Sequence, residues 1–204
     1  MSTRVRQTFC SEFKPEAVRL LEQSDQSMRE QIRSEVLTIH PLDELEATTI
    51  GDTLKWIDSG LELCRLDKPA TPDKHLVSYF AIVDADHLLL VDHINAELWL
   101  PPGGHVEPNE HPKETALREA KEELSIAPSF PVDHPILITR TETVGKTSGH
   151  TDVSLWYVFA GKRTDAYLFD RSEFASIRWF HRDEIALERS DPHMARFLAK
   201  LYRD

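Results

Sequence analysis

The chain has 204 residues, 40% of them hydrophobic, which suffices for the core of one domain or of one domain with a small addition. Its 35 acidic and 24 basic residues leave a formal charge of −11, which argues against nonspecific binding to nucleic-acid polymers or to an anionic membrane surface. Nucleotides stay admissible, because bound metal ions invert local acidity. No apolar run approaches the roughly 18 residues of a membrane span. The start MSTRVRQTFCSEFKPE lacks the apolar centre of a secretory signal, so a cytoplasmic protein is expected. Cys10 and Cys64 form neither a disulfide framework nor a metal-ligand pair and are expected to be free thiols.

Residues 1–70 are expected to form a helical extension without a chemical motif. Val18, Leu21, Met28, Ile32, Val36 and Ile39 recur at helical intervals between Pro15 and about His40, but the polar run Gln23 to Gln26 predicts one broken helix or two shorter ones. A second helix fits from Leu42 or Asp43 to Ile57, ended by Asp58-Ser59-Gly60, with a short third turn around Leu61 to Leu66. His40, Asp43, Glu44 and Glu46 match no metal-site spacing and read as ordinary polar residues of a helix start. The apolar faces of the extension are expected to pack on the rest of the chain or on a second subunit, the latter making a homodimer.

Lys68 to Asp73, with Pro69 and Pro72, reads as a linker, and residues 71–204 as the main domain. His75 to Asp84 and His87 to Val91 predict a strand hairpin across Asp84-Ala85-Asp86, and Trp99 and Leu100 continue toward a glycine turn. Beyond the helix that follows, Pro128 to Pro135 is a proline-rich loop. Ile136 to Val144 and Val153 to Ala160 are strands joined by the polar, flexible loop Gly145 to Gly149, and Ile177 to Phe180 is a further short strand. Asp191 and Pro192 open a last helix with Met194, Phe197, Leu198 and Leu201 on its apolar side. Phe80, Trp99, Trp156 and Tyr157 read first as core residues, with stacking on a base as the functional alternative. Periodicity alone gives a mixed α/β or α+β fold without repeats.

The stretch that states a chemistry is LWLPPGGHVEPNEHPKETALREAKEELSI, Leu98 to Ile126. Pro112 suits the first turn of a helix, with His111 or Asn109 as its cap, and the helix should run to about Leu124. At about 100° per residue Glu119, Glu122 and Glu123 share one arc, while Leu117, Ala120 and Leu124 form an adjoining apolar stripe. Like charges so close repel by a few tenths of a kcal/mol each, and by more where desolvated. The counter-charge is Arg118 or a hard divalent cation such as Mg²⁺, unless the glutamates are simply a solvated face.

Spacing decides between those readings. Gly104, five residues, Glu110, seven residues, then Arg118-Glu119-Ala120-Lys121-Glu122-Glu123-Leu124-Ser125-Ile126 resembles the Nudix box, G-x5-E-x7-R-E-U-x-E-E-x-G-U, in eight of nine defining positions. The upstream WLPPGGHVEP also resembles the family's approach to the box. Ser125 departs from it, standing where the family has the glycine that accepts a left-handed helix end; serine there costs about 1 kcal/mol unless the helix ends differently. The resemblance extends over about residues 75 to 190 and implies a mixed sheet sandwiched between helices.

It also implies Mg²⁺-dependent hydrolysis of a phosphoanhydride in a nucleoside diphosphate linked to a further group X, with Mn²⁺ as a substitute metal. By position in the motif Glu119, Glu122 and Glu123 would hold metal together with the Gly104 carbonyl. Glu110 and Arg118 would tie the loop to the helix, with Glu110 also within reach of the metal shell, and the base would be a box glutamate or the later Glu173, which could alternatively bind metal. His105, His150 and Asp152 are candidates for touching substrate, with metal as the alternative for His150 and Asp152. Marks for ADP-ribose, dinucleoside polyphosphates, coenzyme A or NADH are not evident, since residues 140–144 are Arg-Thr-Glu-Thr-Val. A nucleoside triphosphate is therefore the expected substrate, with ADP-ribose or a nucleotide sugar as the alternative and a non-catalytic nucleotide sensor as a third reading. An isopentenyl diphosphate isomerase of the same fold would need a cysteine in the catalytic domain, and Cys10 and Cys64 both precede the first strand.

Overall fold

The alternation of β-branched and aromatic residues from His75 onward becomes the central strand of the molecule, β1 (Lys74–Asp84), in a computed structural model that describes residues 13–67, 71–143 and 149–203, with side chains from residue 23. Cys10, Lys68 to Ala70 of the linker, the side chains of Val18 and Leu21, and Val144 to Ser148 of the later loop lie outside the described residues. β1 turns through Ala85, at φ 52°, into β2 (His87–His93), as the hairpin expectation had it. β3 (Leu98–Leu100) pairs with β2, and β4 (Gly103–His105) returns antiparallel onto β1. After the acidic helix come β5 (Leu137–Glu142), β6 (Thr151–Ala160) and β7 (Phe174–His181). The main path of the seven-stranded sheet is β3-β2-β1-β6-β5, with β7 pairing on β2. β1 and β6 are parallel while the other pairs are antiparallel, and a parallel pair demands a long crossover.

Helices cover both faces. α1 (Phe13–Thr38) is one unbroken helix of 26 residues, not the broken element predicted from its polar run. Gln23 to Gln26 is exposed, so nothing there is asked to pack, and Arg29 bonds Asp25 one turn away at 2.8 Å. α2 (Glu44–Asp58) is capped by Asp43, whose carboxylate accepts the Glu46 N–H. The third helical turn expected around Leu61 to Leu66 does not form. Leu63 is buried instead, and its carbonyl accepts the Leu76 N–H at 2.7 Å, which spends the segment on extending the edge of β1.

Ile32, Val36 and Ile39 of α1 and Trp56 and Ile57 of α2 share one core with Leu76, Phe80, Tyr157 and Phe159 on one sheet face. On the other face α4 (Met194–Leu201) sets Met194 and Phe197 against Ala81, Trp156 and Val158. Phe80, Trp156 and Tyr157 are thus core residues, and Trp99 packs edge-on against Phe180 with ring centroids 4.9 Å apart. Polar bonds fasten the N-terminal helices as well. Fully buried Glu46 accepts from Leu42 N, from Ile138 N of β5 and from Lys200 Nζ of α4, the last at 2.7 Å. No helix among the described residues is long and apolar enough to cross a membrane. Cys64 is free and buried, and burial pushes its thiol up to about 12.

Candidate active site

The acidic helix is α3 (Pro112–Leu124), with the expected limits. His111 caps it by accepting the Lys113 N–H while Glu114 reaches back to the His111 N–H, a reciprocal pair that satisfies two end donors. Asn109, at φ 64°, only turns the chain into the cap. The buried stripe is Ala116, Ala120 and Leu124 rather than one through Leu117, which is exposed. Spacing of four residues places Ala116 above Ala120, and Leu117 points a further 100° around the helix, away from the sheet. Ser125 takes the left-handed conformation itself, φ 54° and ψ 34°, and the N–H groups of Ser125 and Ile126 bond the carbonyls of Lys121 and Ala120. Substituting serine for glycine therefore leaves the helix end in place with its backbone strain unrelieved.

The glycine turn lies across this helix. Gly103, at φ 154°, donates its N–H to Glu123 Oε2 at 3.2 Å. A side chain on Gly103 would meet the Ser78 carbonyl at 2.2 Å, and one on Gly104 would meet Glu119 Oε1 at 1.9 Å. The bare Gly104 backbone and the Glu119 carboxylate therefore share one small space, a cradle that only glycine leaves open. Arg118 makes a bidentate bond to Glu110 at 2.8 and 3.0 Å, a bond to Glu119 at 2.7 Å, and one to the His105 carbonyl at 3.3 Å. Burial works against ionisation of Glu110, yet the Arg118 and Thr115 hydrogen bonds hold its carboxyl below the usual range. Glu110 and Arg118 thus join loop to helix.

Glu119, Glu123 and Glu173 line one cavity of about 700 Å³ with Gly103, Gly104, His105 and Arg118. Burial, then the charges of Glu119 and Glu173, pushes the Glu123 carboxyl up to about 9. Burial also raises Glu119, against the pull of Arg118. These carboxylates are held close in a poorly solvated place with Arg118 already engaged, an oxygen donor set that suits a hard divalent cation. Glu122 is 60% exposed on the flank, bonded to Arg118 at 3.3 Å.

A second cleft, of about 540 Å³, shares the Gly103-Gly104 turn, Arg65, His93 and His105 with the first. It is mainly apolar, lined by Tyr79, Val91, Leu98, Leu100 and Phe174, and His105, His150 and Asp152 stand on its wall. The three polar candidates from the sequence are therefore together. With them is His75, which sequence reasoning passed over as a strand residue; pairing with β6 sets it opposite Asp152. Only its position at the head of a strand could have flagged it.

A family model described as the NUDIX domain matches residues 74–201. None of the curated proteins matches the chain. Among solved structures, a MutT NUDIX hydrolase from Burkholderia pseudomallei is similar at 20% identity and a TM-score of 0.51, over 63% of this chain and 98% of that one. The MutT protein from Methanosarcina mazei gives 20% and 0.50 over 64% and 94%. A Deinococcus radiodurans protein gives 16% and 0.50 over 69% and 90%. Likeness at such identities speaks for the fold alone, whereas the family match runs from the first strand through the last helix: the chain belongs to the Nudix family of pyrophosphohydrolases.

Proposed function

We propose that the chain hydrolyses a phosphoanhydride bond of a nucleoside triphosphate, with Mg²⁺ as the metal and Mn²⁺ as its substitute. The observation that carries this reading is the cavity that Glu119, Glu123 and Glu173 line together with the Gly103-Gly104 turn, beside a mainly apolar cleft that shares the same turn. A nucleotide has the matching two halves: a base for the cleft lined by Tyr79 and Phe174, and phosphates for the acidic cavity.

Glu119, Glu123 and the Gly104 carbonyl would hold the metal, with Glu122 able to turn inward from its exposed position. Bound there, the divalent ion neutralises charge gathering on the phosphoryl oxygens and favours ionisation of the attacking water. The chain's own residues do the rest. Arg118 keeps Glu119 aimed at the turn and, through Glu110, fixes the loop against the helix. Gly103 N–H orients Glu123. Glu173 lies on the loop before β7, exposed and joined to β2 through its carbonyl, which accepts the Ile94 N–H at 2.9 Å. That exposure to water, on the rim of the acidic cavity, favours Glu173 as the base that takes the water's proton.

The test is release of phosphate or pyrophosphate, with Mg²⁺ present, from a panel of nucleoside triphosphates, nucleotide sugars including ADP-ribose, and dinucleoside polyphosphates. Glu123→Gln should remove nearly all activity, and Glu173→Gln should lower kcat by roughly 10²- to 10⁴-fold with little change in KM. Nucleotide binding without turnover of any panel member would favour a sensor, and undiminished activity in Glu123→Gln would remove the metal assignment.

A further inference from the structure

Four metal-ligating side chains converge beside the acidic cavity, and of them only His105 also lines it. His75 comes from the head of β1, His105 from the end of β4, and His150 and Asp152 from the approach to β6 and its start. One ligand atom from each lies within 4.8 Å of all the others.

Hydrogen bonding fixes what these atoms present. A carbonyl only accepts, so His75 Nδ1, 2.9 Å from the Pro72 carbonyl, carries a proton. The ring's other nitrogen, Nε2, is the one that would ligate a metal, and that atom faces Asp152 Oδ1 at 3.2 Å. His75 is fully buried, and neither its Nε2 nor Asp152 Oδ1 has a hydrogen-bond partner among the described residues. A buried imidazole nitrogen and carboxylate oxygen left without hydrogen-bond partners make room for a cation between them. His150 repeats the pattern, with Nδ1 3.2 Å from Thr143 Oγ1 and Nε2 3.3 Å from the same carboxylate oxygen. An outer partner on one ring nitrogen and the other nitrogen aimed inward is how ligating histidines are held. His105 Nε2 stands 3.9 Å from Asp152 Oδ1 and accepts from Arg65 Nη1 at 3.3 Å, so a cationic group already shares that nitrogen.

The dimensions also fit. Ligand bonds of about 2.0–2.1 Å in a tetrahedron put ligand atoms about 3.4 Å apart and imidazole centroids about 5 Å apart. Asp152 Oδ1 lies 3.2, 3.3 and 3.9 Å from the three imidazole nitrogens, and the ring centroids are 4.8, 5.0 and 6.0 Å apart. Closing the set needs shifts of about 1 Å or less, chiefly of His105.

We propose that His75, His105, His150 and Asp152 bind one borderline divalent transition-metal ion, Zn²⁺ or a close chemical relative, in a four-coordinate site that adjoins the acidic cavity and shares only His105 with its lining. Imidazole donors favour such ions, whereas the carboxylate and carbonyl oxygens of the acidic cavity favour Mg²⁺. The bound ion clips β1, β4 and β6 together at the wall of the apolar cleft. Arg65, which Asp152, Glu119 and Glu107 attract in that order, would then turn from His105 and Asp152 toward the two glutamates.

The test needs no hydrolytic activity, so it is independent of the reaction proposed above. Chelator-treated protein is titrated with Co²⁺ in excess Mg²⁺ and followed by visible absorption and by bound cobalt. The expected result is one equivalent with the intense band of tetrahedral Co²⁺, retained in Glu123→Gln and lost in His75→Asn and in Asp152→Asn. The second of these guards against a folding defect at fully buried His75, and circular dichroism checks both. Arg65→Gln, which removes the competing donor to His105, should tighten Co²⁺ at least several-fold. A wild type that binds no equivalent, or a band that survives Asp152→Asn, overturns the site and leaves a protonated imidazole as the cation beside the carboxylate.

Discussion

Glu35 offers a quantitative test of how the N-terminal helix is held. Its Oε2 accepts the Tyr157 hydroxyl at 2.7 Å and lies 3.4 Å from His111 Nε2, so one carboxyl on α1 meets a core strand and the cap of the acidic helix. His111 Nδ1 is taken up accepting the Lys113 N–H, which leaves the ring proton on Nε2, facing Glu35. Burial outweighs the Tyr157 hydrogen bond and raises the carboxyl from 4.5 to about 7. A pKa raised by folding means that the folded state binds the proton more tightly. The stabilisation is therefore complete below about pH 4.5 and is lost as pH rises through about 7. The displacement corresponds to on the order of 3 kcal/mol. Glu35→Gln cannot ionise and keeps an oxygen for Tyr157. Urea unfolding of both proteins from pH 5 to 8.5 should show similar stability at pH 5 and a relative gain for the variant of about 3 kcal/mol at pH 8.5. Parallel curves, or a wild type that gains on the variant as pH rises, would refute the reasoning, the latter because two donors would then be holding the carboxylate ionised.

Gly104→Ala and Gly103→Ala should separate site from scaffold. The first pushes the end of the flexible Glu119 side chain aside, so the fold should survive with activity and Mg²⁺ affinity reduced at least tenfold in kinetic and calorimetric titrations. The second drives a Cβ into the Ser78 backbone at a φ of 154°, and its unfolding midpoint should fall sharply. Ser125→Gly relieves a left-handed serine and should stabilise by about 1 kcal/mol, raising Tm by about 2–4 °C without altering kcat. Lys200→Met strands fully buried Glu46 and should destabilise by about 3–5 kcal/mol. Adding Glu46→Gln to Lys200→Met should recover much of that loss, which equilibrium unfolding of the single and double variants would reveal.

The acidic helix, the glycine turn and most strands were legible because each is written locally, in periodicity, caps and motif spacing. The ends of α3 and the Asp84 to Asp86 turn fell where turn and cap chemistry put them. What escaped the sequence depends on neighbours distant in the chain. Gln23 to Gln26 looked like a break, yet an exposed flank of a long helix has no need of apolar residues. Leu61 to Leu66 looked helical but is claimed by a backbone bond to Leu76. Leu117 looked like core because the arc of the buried face was centred one residue too far along. His75 carried no local signal beyond its place at the head of a strand, since its meaning comes from a register with β6 that no short-range pattern encodes.

That register has a consequence for how the protein assembles. Paired His75 and Asp152 are roughly 77 residues apart in the chain, and closing a loop of that length costs about 4 kcal/mol of entropy before contacts reward it. α3, with 13 residues, falls inside the loop and would be marginal alone in water. Glu173, just before β7, joins the glutamates of α3, and the cleft gains its wall, only when the distant β1–β6 and β2–β7 pairings have closed. In refolding experiments the recovery of divalent-cation binding should trail the recovery of helical circular dichroism; cation binding that returns together with the helix signal would contradict this order.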